Sequence, residues 1–188
     1  MGKKRIVIAL GHDALGTTVL EQWNATKRTA VAVAEFIKQD YQVVITHSNG
    51  PQVGMIHTAL SEFYQNHPDY TPTPMSVCSA MSQGYIGYDL QNALREEMLD
   101  RGIDKGVATV LTQVEVDAND PAFEHPTKPI GAFMTKEEAN ALIKERDYTV
   151  IEDAGRGYRR VVASPRPISI VEIDTVMSLR SEEHTSEL

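Results

Sequence analysis

The sequence predicts an α/β fold, a doubly wound and mainly parallel sheet with a small protruding α+β lobe. Three observations predict it. Short β-branched apolar runs alternate with helical patterns through the first 112 residues, in the order strand, helix, strand, helix, helix, strand; parallel strands joined by crossover helices produce that order. After residue 117 the periodicity lapses, and three prolines fall within 120–133. The 188 residues are 41% hydrophobic and 23% charged, enough apolar material for a core of ordinary size.

The run at 5–10 (RIVIAL) reads as a buried strand that Gly11 breaks. A helix follows over about 20–38, with Ala30, Val33, Ala34 and Ile37 on one face. Residues 42–46 form a second buried strand. The turn-forming stretch 47–52 leads into a helix from Pro51, suited to a first helical turn, to about residue 64. A polar connection at 66–74 precedes a long helix over about 80–100, with Ile86, Leu90, Leu94 and Met98 along one side and Gly102 at its end. A third strand is expected at 107–112.

The lobe is expected over about 120–165. Thr135 followed by Glu138 is a capping-box pattern and starts a helix over 135–146. Residues 148–152 and 158–163 are strand-like and joined by a turn with Gly155 and Gly157. Residues 168–170 are expected to return to the main sheet, and 172–179 to begin a helix. The last nine residues, 180–188 (RSEEHTSEL), match a translated sequencing-library adapter codon by codon and are set aside as artefact.

The formal net charge of −8 argues against a nucleic-acid binder held by phosphate contacts, but leaves room for a small anion in a locally positive pocket. The one cysteine, Cys78, excludes an internal disulfide and fits a reducing, cytoplasmic setting; it reads as a buried filler. The basic start at 3–5 is followed by too short an apolar run for a signal peptide, and no segment reaches membrane-spanning length. Ile6 breaks the myristoylation pattern, and the sequon at Asn24 reads as chance.

Two strand-to-helix turns have anion-binding character: 11–16 (GHDALG) and 48–52 (SNGPQ). In an open parallel sheet both lie at the carboxyl ends of strands, where ligands bind. Backbone N–H groups and the helix dipole favour an anion there, and glycine lets the backbone approach it. Taken singly, each turn is equally compatible with a purely geometric role. Thr17 stands where a P-loop requires lysine, and neither turn is a G-x-G-x-x-G dinucleotide fingerprint. Lys128 lies between Pro126 and Pro129 on a stiff backbone, which suits either a positioned ammonium or an ordinary solvated lysine.

These residues resemble carbamate kinase, of the amino-acid-kinase family. The resemblance runs from about 5 to 179, most specifically at 49–54 (NGPQVG), 83–94 (QGYIGYDLQNAL), 112–123 (TQVEVDANDPAF), 126–131 (PTKPIG) and 152–165 (EDAGRGYRRVVASP). It implies a three-layer α/β sandwich with a protruding lobe, of which residues 1–179 are the N-terminal, substrate-binding part; the C-terminal nucleotide-binding part is absent. It implies phosphoryl transfer between carbamoyl phosphate and ADP, giving ATP and carbamate, with magnesium, in fermentative arginine breakdown, by a protein that is a homodimer at full length. It places Gly11, His12, Asp13, Ser48, Asn49, Gly50 and Gln52 around the substrate and makes Lys128 the catalytic cation. The attacking group is an oxyanion in both directions, so positioning and charge neutralisation suffice without a general base.

Three positions depart from the family's usual ALGGNA and HGNGPQ loops. His12 replaces a glycine, Asp13 an asparagine and Ser48 a glycine. An ionised Asp13 accepts hydrogen bonds only, and at 4 Å would repel a phosphate oxygen by ~1 kcal/mol in water and roughly 4 at a protein surface. His12 can offset this by donating to the phosphate or pairing with Asp13. The sequence therefore supports two functional readings: a carbamate kinase, or a carbamate-kinase-like anion-binding protein weakened by His12, Asp13 and Ser48.

Overall fold

In a computed structural model, residues 4–11, 14–146 and 148–179 are described, and they form two compact units, one within Met1–Leu111 and one spanning Thr112–Ser178. His12, Asp13 and the tail at 180–188 lie outside the described residues.

In the first unit β1 (Arg5–Leu10) and β2 (Gln42–His47) pair in parallel, from Arg5 opposite Gln42 to Leu10 opposite His47. The helix α1 (Val19–Lys38) connects them. The helices α2 (Gly50–Asn66) and α3 (Met75–Asp100) follow, joined by the polar 67–74 connection. The predicted stripe on α1 is the buried one. Ala30 and Val33 meet Ala93 and Leu94 of α3, with Ile8, Ile37, Val43 and Ile45 closing around them. A second cluster of Leu15, Ile86 and Leu90 is covered by Leu10 and Ile45.

The helix α3 begins five residues before its expected start. Its buried stripe continues upstream through Ser82 and Cys78, residues too small and polar for hydropathy to mark. Cys78 is fully buried, and burial pushes its thiol pKa up, as a filler requires. Gly102 takes φ +66 just past the C-cap Arg101, ending α3 in the left-handed conformation glycine favours.

The structure corrects two expectations here. Residues 107–112 form no strand; instead the segment packs on α3 through side chains. Val107 joins the first cluster, and Thr109 donates to Gln91 at 3.1 Å and lies over Gly87. Nor is β1 covered on both faces. Ile6, Ile8 and Leu10 are half-buried, whereas Arg5, Val7 and Ala9 are exposed, Val7 by 67%. The packed clusters engage one side of the pair only.

The second unit is antiparallel. The strand β3 (Val114–Val116) pairs with β7 (Pro167–Ile170) in a sheet of its own, so 167–170 does not rejoin β1 and β2. A single 3₁₀ turn at Pro121–Phe123 is capped by Asp120. A three-stranded sheet has the order β4 (Lys128–Met134), β6 (Tyr158–Val162), β5 (Val150–Glu152). The unforeseen strand β4 contains Pro129 and Gly131, which read as loop. Pro129 is accommodated because β4 is an edge, and Gly131, at φ +72, sits in a register shift between Ile130 and Met134. The helix α4 (Lys136–Arg146) starts with the expected capping box: Thr135 N donates to Glu138 at 2.7 Å, and Glu138 N returns to Thr135 Oγ1 at 3.2 Å. Among the described residues of this unit Ala139 and Val161 are the buried apolar ones, and α5 (Ile173–Leu179) ends the described chain.

Candidate functional site

The two glycine turns lie at the ends of paired strands. Ser48 N donates to Leu10 O at 3.0 Å, extending the ladder to the edge of Gly11, which is exposed. Beyond that point the two turns differ in kind.

The first turn drops Leu15 into the core and passes through Gly16 at φ +70. The start of α1 is already occupied by a carboxylate of its own. Thr17 N, Thr17 Oγ1 and Thr18 N donate to Glu21 Oε2 at 2.9, 2.9 and 3.0 Å, and Glu21 N donates back to Thr18 Oγ1 at 3.2 Å. The backbone N–H groups of Thr17 and then Thr18 hold the Glu21 carboxyl at about 2. The macrodipole of α1 is thus answered internally.

The second turn is open. Asn49 occupies the N-cap of α2 but makes no side-chain cap. Its amide donates instead to Ser82 Oγ at 2.8 Å and Ser79 Oγ at 3.2 Å on α3, while Ser82 Oγ donates to Ser79 O at 2.6 Å. Gly50, exposed, and Pro51 form the first turn, whose N–H groups lack intrahelical acceptors. Ser48 Oγ is buried without a hydrogen-bond partner among the described residues.

Gln52 is 3% exposed, and its side-chain NH₂ is used within the protein. It donates to Gly16 O at 3.2 Å and to Gln22 Oε1 at 2.9 Å; Gln22, itself 0% exposed, donates to Asp89 Oδ2 at 2.6 Å. The side chain of Gln52 therefore ties one turn to the other. Lys128 belongs to the second unit, where it is exposed at the start of β4 opposite Val162.

The structure thus gathers Gly11, Ser48, Asn49, Gly50 and Gln52 in the first unit. Sequence reasoning missed Glu21, Gln22, Ser79, Ser82 and Asp89. For Glu21 the signal was present, because 18–21 (TVLE) has capping-box spacing. The others show only as polar residues interrupting apolar helix faces. Among the described residues no group of three or more His, Cys, Asp or Glu side chains is placed to hold a metal ion.

The chain is 59% identical over 176 residues to the carbamate kinase-like protein YqeA of Escherichia coli K12, matching 94% of this chain and 56% of that protein. It is 50% identical over 175 residues to carbamate kinase 3 of Staphylococcus aureus USA300, matching 93% and 56%. Among solved structures, project APE1968 from Aeropyrum pernix K1 superposes with a TM-score of 0.86 at 36% identity, covering 94% of this chain and 57% of that one. The carbamate kinase of Giardia lamblia bound to AMP-PNP superposes with a TM-score of 0.81 at 37% identity, covering 94% and 57%. No protein-family model matches the chain. It spans about half the length of the curated relatives it matches. By identity along nearly its whole length and by a shared α/β fold, the chain matches a part, a little over half, of the carbamate kinases and carbamate kinase-like protein it resembles.

Proposed function

We propose that this chain provides the carbamate- and phosphoryl-binding part of a carbamate kinase, which transfers a phosphoryl group reversibly between carbamoyl phosphate and ADP to give ATP and carbamate. The observation that supports it is the open start of α2. There a helix N-terminus has no side-chain cap, Gly50 permits close approach, and Asn49 is held away by Ser79 and Ser82. Gly11, at the end of the neighbouring strand, would border the same anion, with His12 and Asp13 beside it. Lys128 would supply the mobile positive charge on the transferred group. Arginine breakdown is the setting that the resemblance implies, with a homodimer in the cytoplasm as the working form.

The nucleotide is assigned to the part of the relatives' length that this chain does not span; the AMP-PNP-bound relative supports nucleotide use by the family. Magnesium is the ion that the resemblance implies for the whole protein; among the described residues no group of three or more His, Cys, Asp or Glu side chains is placed to hold one. No helix of the described residues is long and apolar enough to cross a membrane.

The test is a coupled assay on a protein extended to the relatives' full length, supplied with carbamoyl phosphate, ADP and magnesium. ATP should form, and Lys128→Ala should lower kcat about 10²–10³-fold, the usual cost of losing one charge-stabilising contact. A folded protein that forms no ATP would sink the proposal. Full activity in Lys128→Ala would remove Lys128 from it.

A further inference from the structure

We propose that Asp89 is a positioning residue that sets which way round the amides of Gln22 and Gln52 stand, and through them holds the first glycine turn at Gly16. The sequence of contacts runs from α3 through α1 and α2 to the turn. Gln22 donates to Asp89 Oδ2 at 2.6 Å, Gln52 donates to Gln22 Oε1 at 2.9 Å, and the same Gln52 NH₂ reaches Gly16 O at 3.2 Å.

The direction of this chain follows from chemistry at one end. A carboxylate only accepts, so Gln22 must present its NH₂ to Asp89. That leaves Gln22 Oε1 facing Gln52, which must answer with its own NH₂. The second hydrogen of that group then meets the Gly16 carbonyl. Both glutamines are buried, at 0% and 3% exposure, so neither can satisfy a misplaced amide with bulk water. If the amides reversed, Gln52 would set its carbonyl oxygen against the carbonyl oxygen of Gly16, and the turn would be pushed away. The acceptor-only character of Asp89 is thereby transmitted through Gln22 and Gln52 to Gly16. Its consequence for ligand binding rests on the function proposed above.

The test uses the 188-residue chain, labelled with ¹⁵N. Water-saturation transfer measures solvent exchange of the side-chain NH₂ groups, and carbamoyl phosphate is titrated against the backbone resonances of Gly11 and Gly16. Asp89→Asn keeps the shape and loses the charge-assisted bond. The NH₂ groups of Gln22 and Gln52 should both exchange faster, each by about fivefold, and the affinity for carbamoyl phosphate should fall by a similar factor. Asp89→Leu, which removes the acceptor, should exaggerate both effects. If it does not fold, the Asn variant decides alone. A response confined to Gln22, or absent from both glutamines, overturns the relay. Faster exchange at both with unchanged affinity overturns the positioning role. A wild-type chain that binds no carbamoyl phosphate but shows the paired response supports the relay and counts against the proposed function, so the two failures are distinct.

Discussion

Asn49 gives its side-chain NH₂ to Ser82 Oγ, 2.8 Å away on α3, although it stands at the N-cap of α2. Asparagine is among the strongest N-cap residues, so a helix start left uncapped by it is unusual. Here the amide fastens α2 to α3 and leaves the helix end for something else.

Asn49→Ala removes two donated bonds and should lower stability by about 1–2 kcal/mol. Asn49→Asp keeps the size and can accept from the serine hydroxyls, so it should fold better. Its charge, however, sits at the proposed anion site, where repulsion at 4 Å is worth roughly 1–4 kcal/mol. Calorimetric titration with carbamoyl phosphate should show at least about a fivefold loss for Asn49→Asp. Undiminished affinity would place the anion elsewhere.

Ser48 Oγ is buried without a partner among the described residues. An unsatisfied hydroxyl costs about 1–3 kcal/mol, so Ser48→Ala should leave stability unchanged or raise it by about 1 kcal/mol. If the hydroxyl donates to the bound anion, the same variant should bind carbamoyl phosphate more weakly. Urea melts and titrations read the two effects separately. Lower stability in Ser48→Ala would show that the hydroxyl has a partner in the folded protein.

Glu21 is held at about 2 against an ordinary value of 4.5 by the N–H groups it accepts from. Its folded-state pKa is depressed, so its stabilisation is fully present above pH 4.5 and fades as the pH falls toward 2. Wild type should therefore exceed Glu21→Gln in urea midpoint at pH 6, and the gap should close on acidification. A gap that stays constant from pH 6 to pH 2.5 would show that the carboxylate contributes nothing through its charge.

Gly87 lies under Thr109, and a Cβ at residue 87 would come within 2.2 Å of Thr109 Cγ2. Helix propensity alone favours alanine there by about 1 kcal/mol. Overpacking should win, giving a net loss of about 1–3 kcal/mol for Gly87→Ala. Adding Thr109→Ser removes the offending methyl and should recover most of it. Equal stability of Gly87→Ala and wild type would mean that the 107–112 segment is not pinned against α3.

Much of the fold was legible before the structure. The strand at 5–10 has the predicted limits, α1 starts within a residue of expectation, and the Thr135–Glu138 capping box forms as its spacing requires. These are local matters of periodicity, capping and turn chemistry. The strand β4 was not legible, because Pro129 and Gly131 signal a loop and are tolerated only at an edge with a register shift. Residues 107–112 show the reverse case: a β-branched run with strand propensity that forms no strand, its Val107 and Thr109 packing on the first unit's helices instead.

The candidate site divides in the same way. Its glycines and Asn49 are motif residues, as is Lys128 in the second unit, visible because their chemistry and order can be read along the chain. What each side chain does was decided by residues distant in sequence. Ser82 draws Asn49 off its own helix, and Gln22 and Asp89 commit Gln52 to holding Gly16. Sequence alone determined most of the helices, the first two strands and where the two glycine turns lie, since those depend on neighbours a few residues apart. Only the tertiary structure decided which donors are used up and which stay open, because a buried polar group is satisfied by whatever packing brings within hydrogen-bond reach.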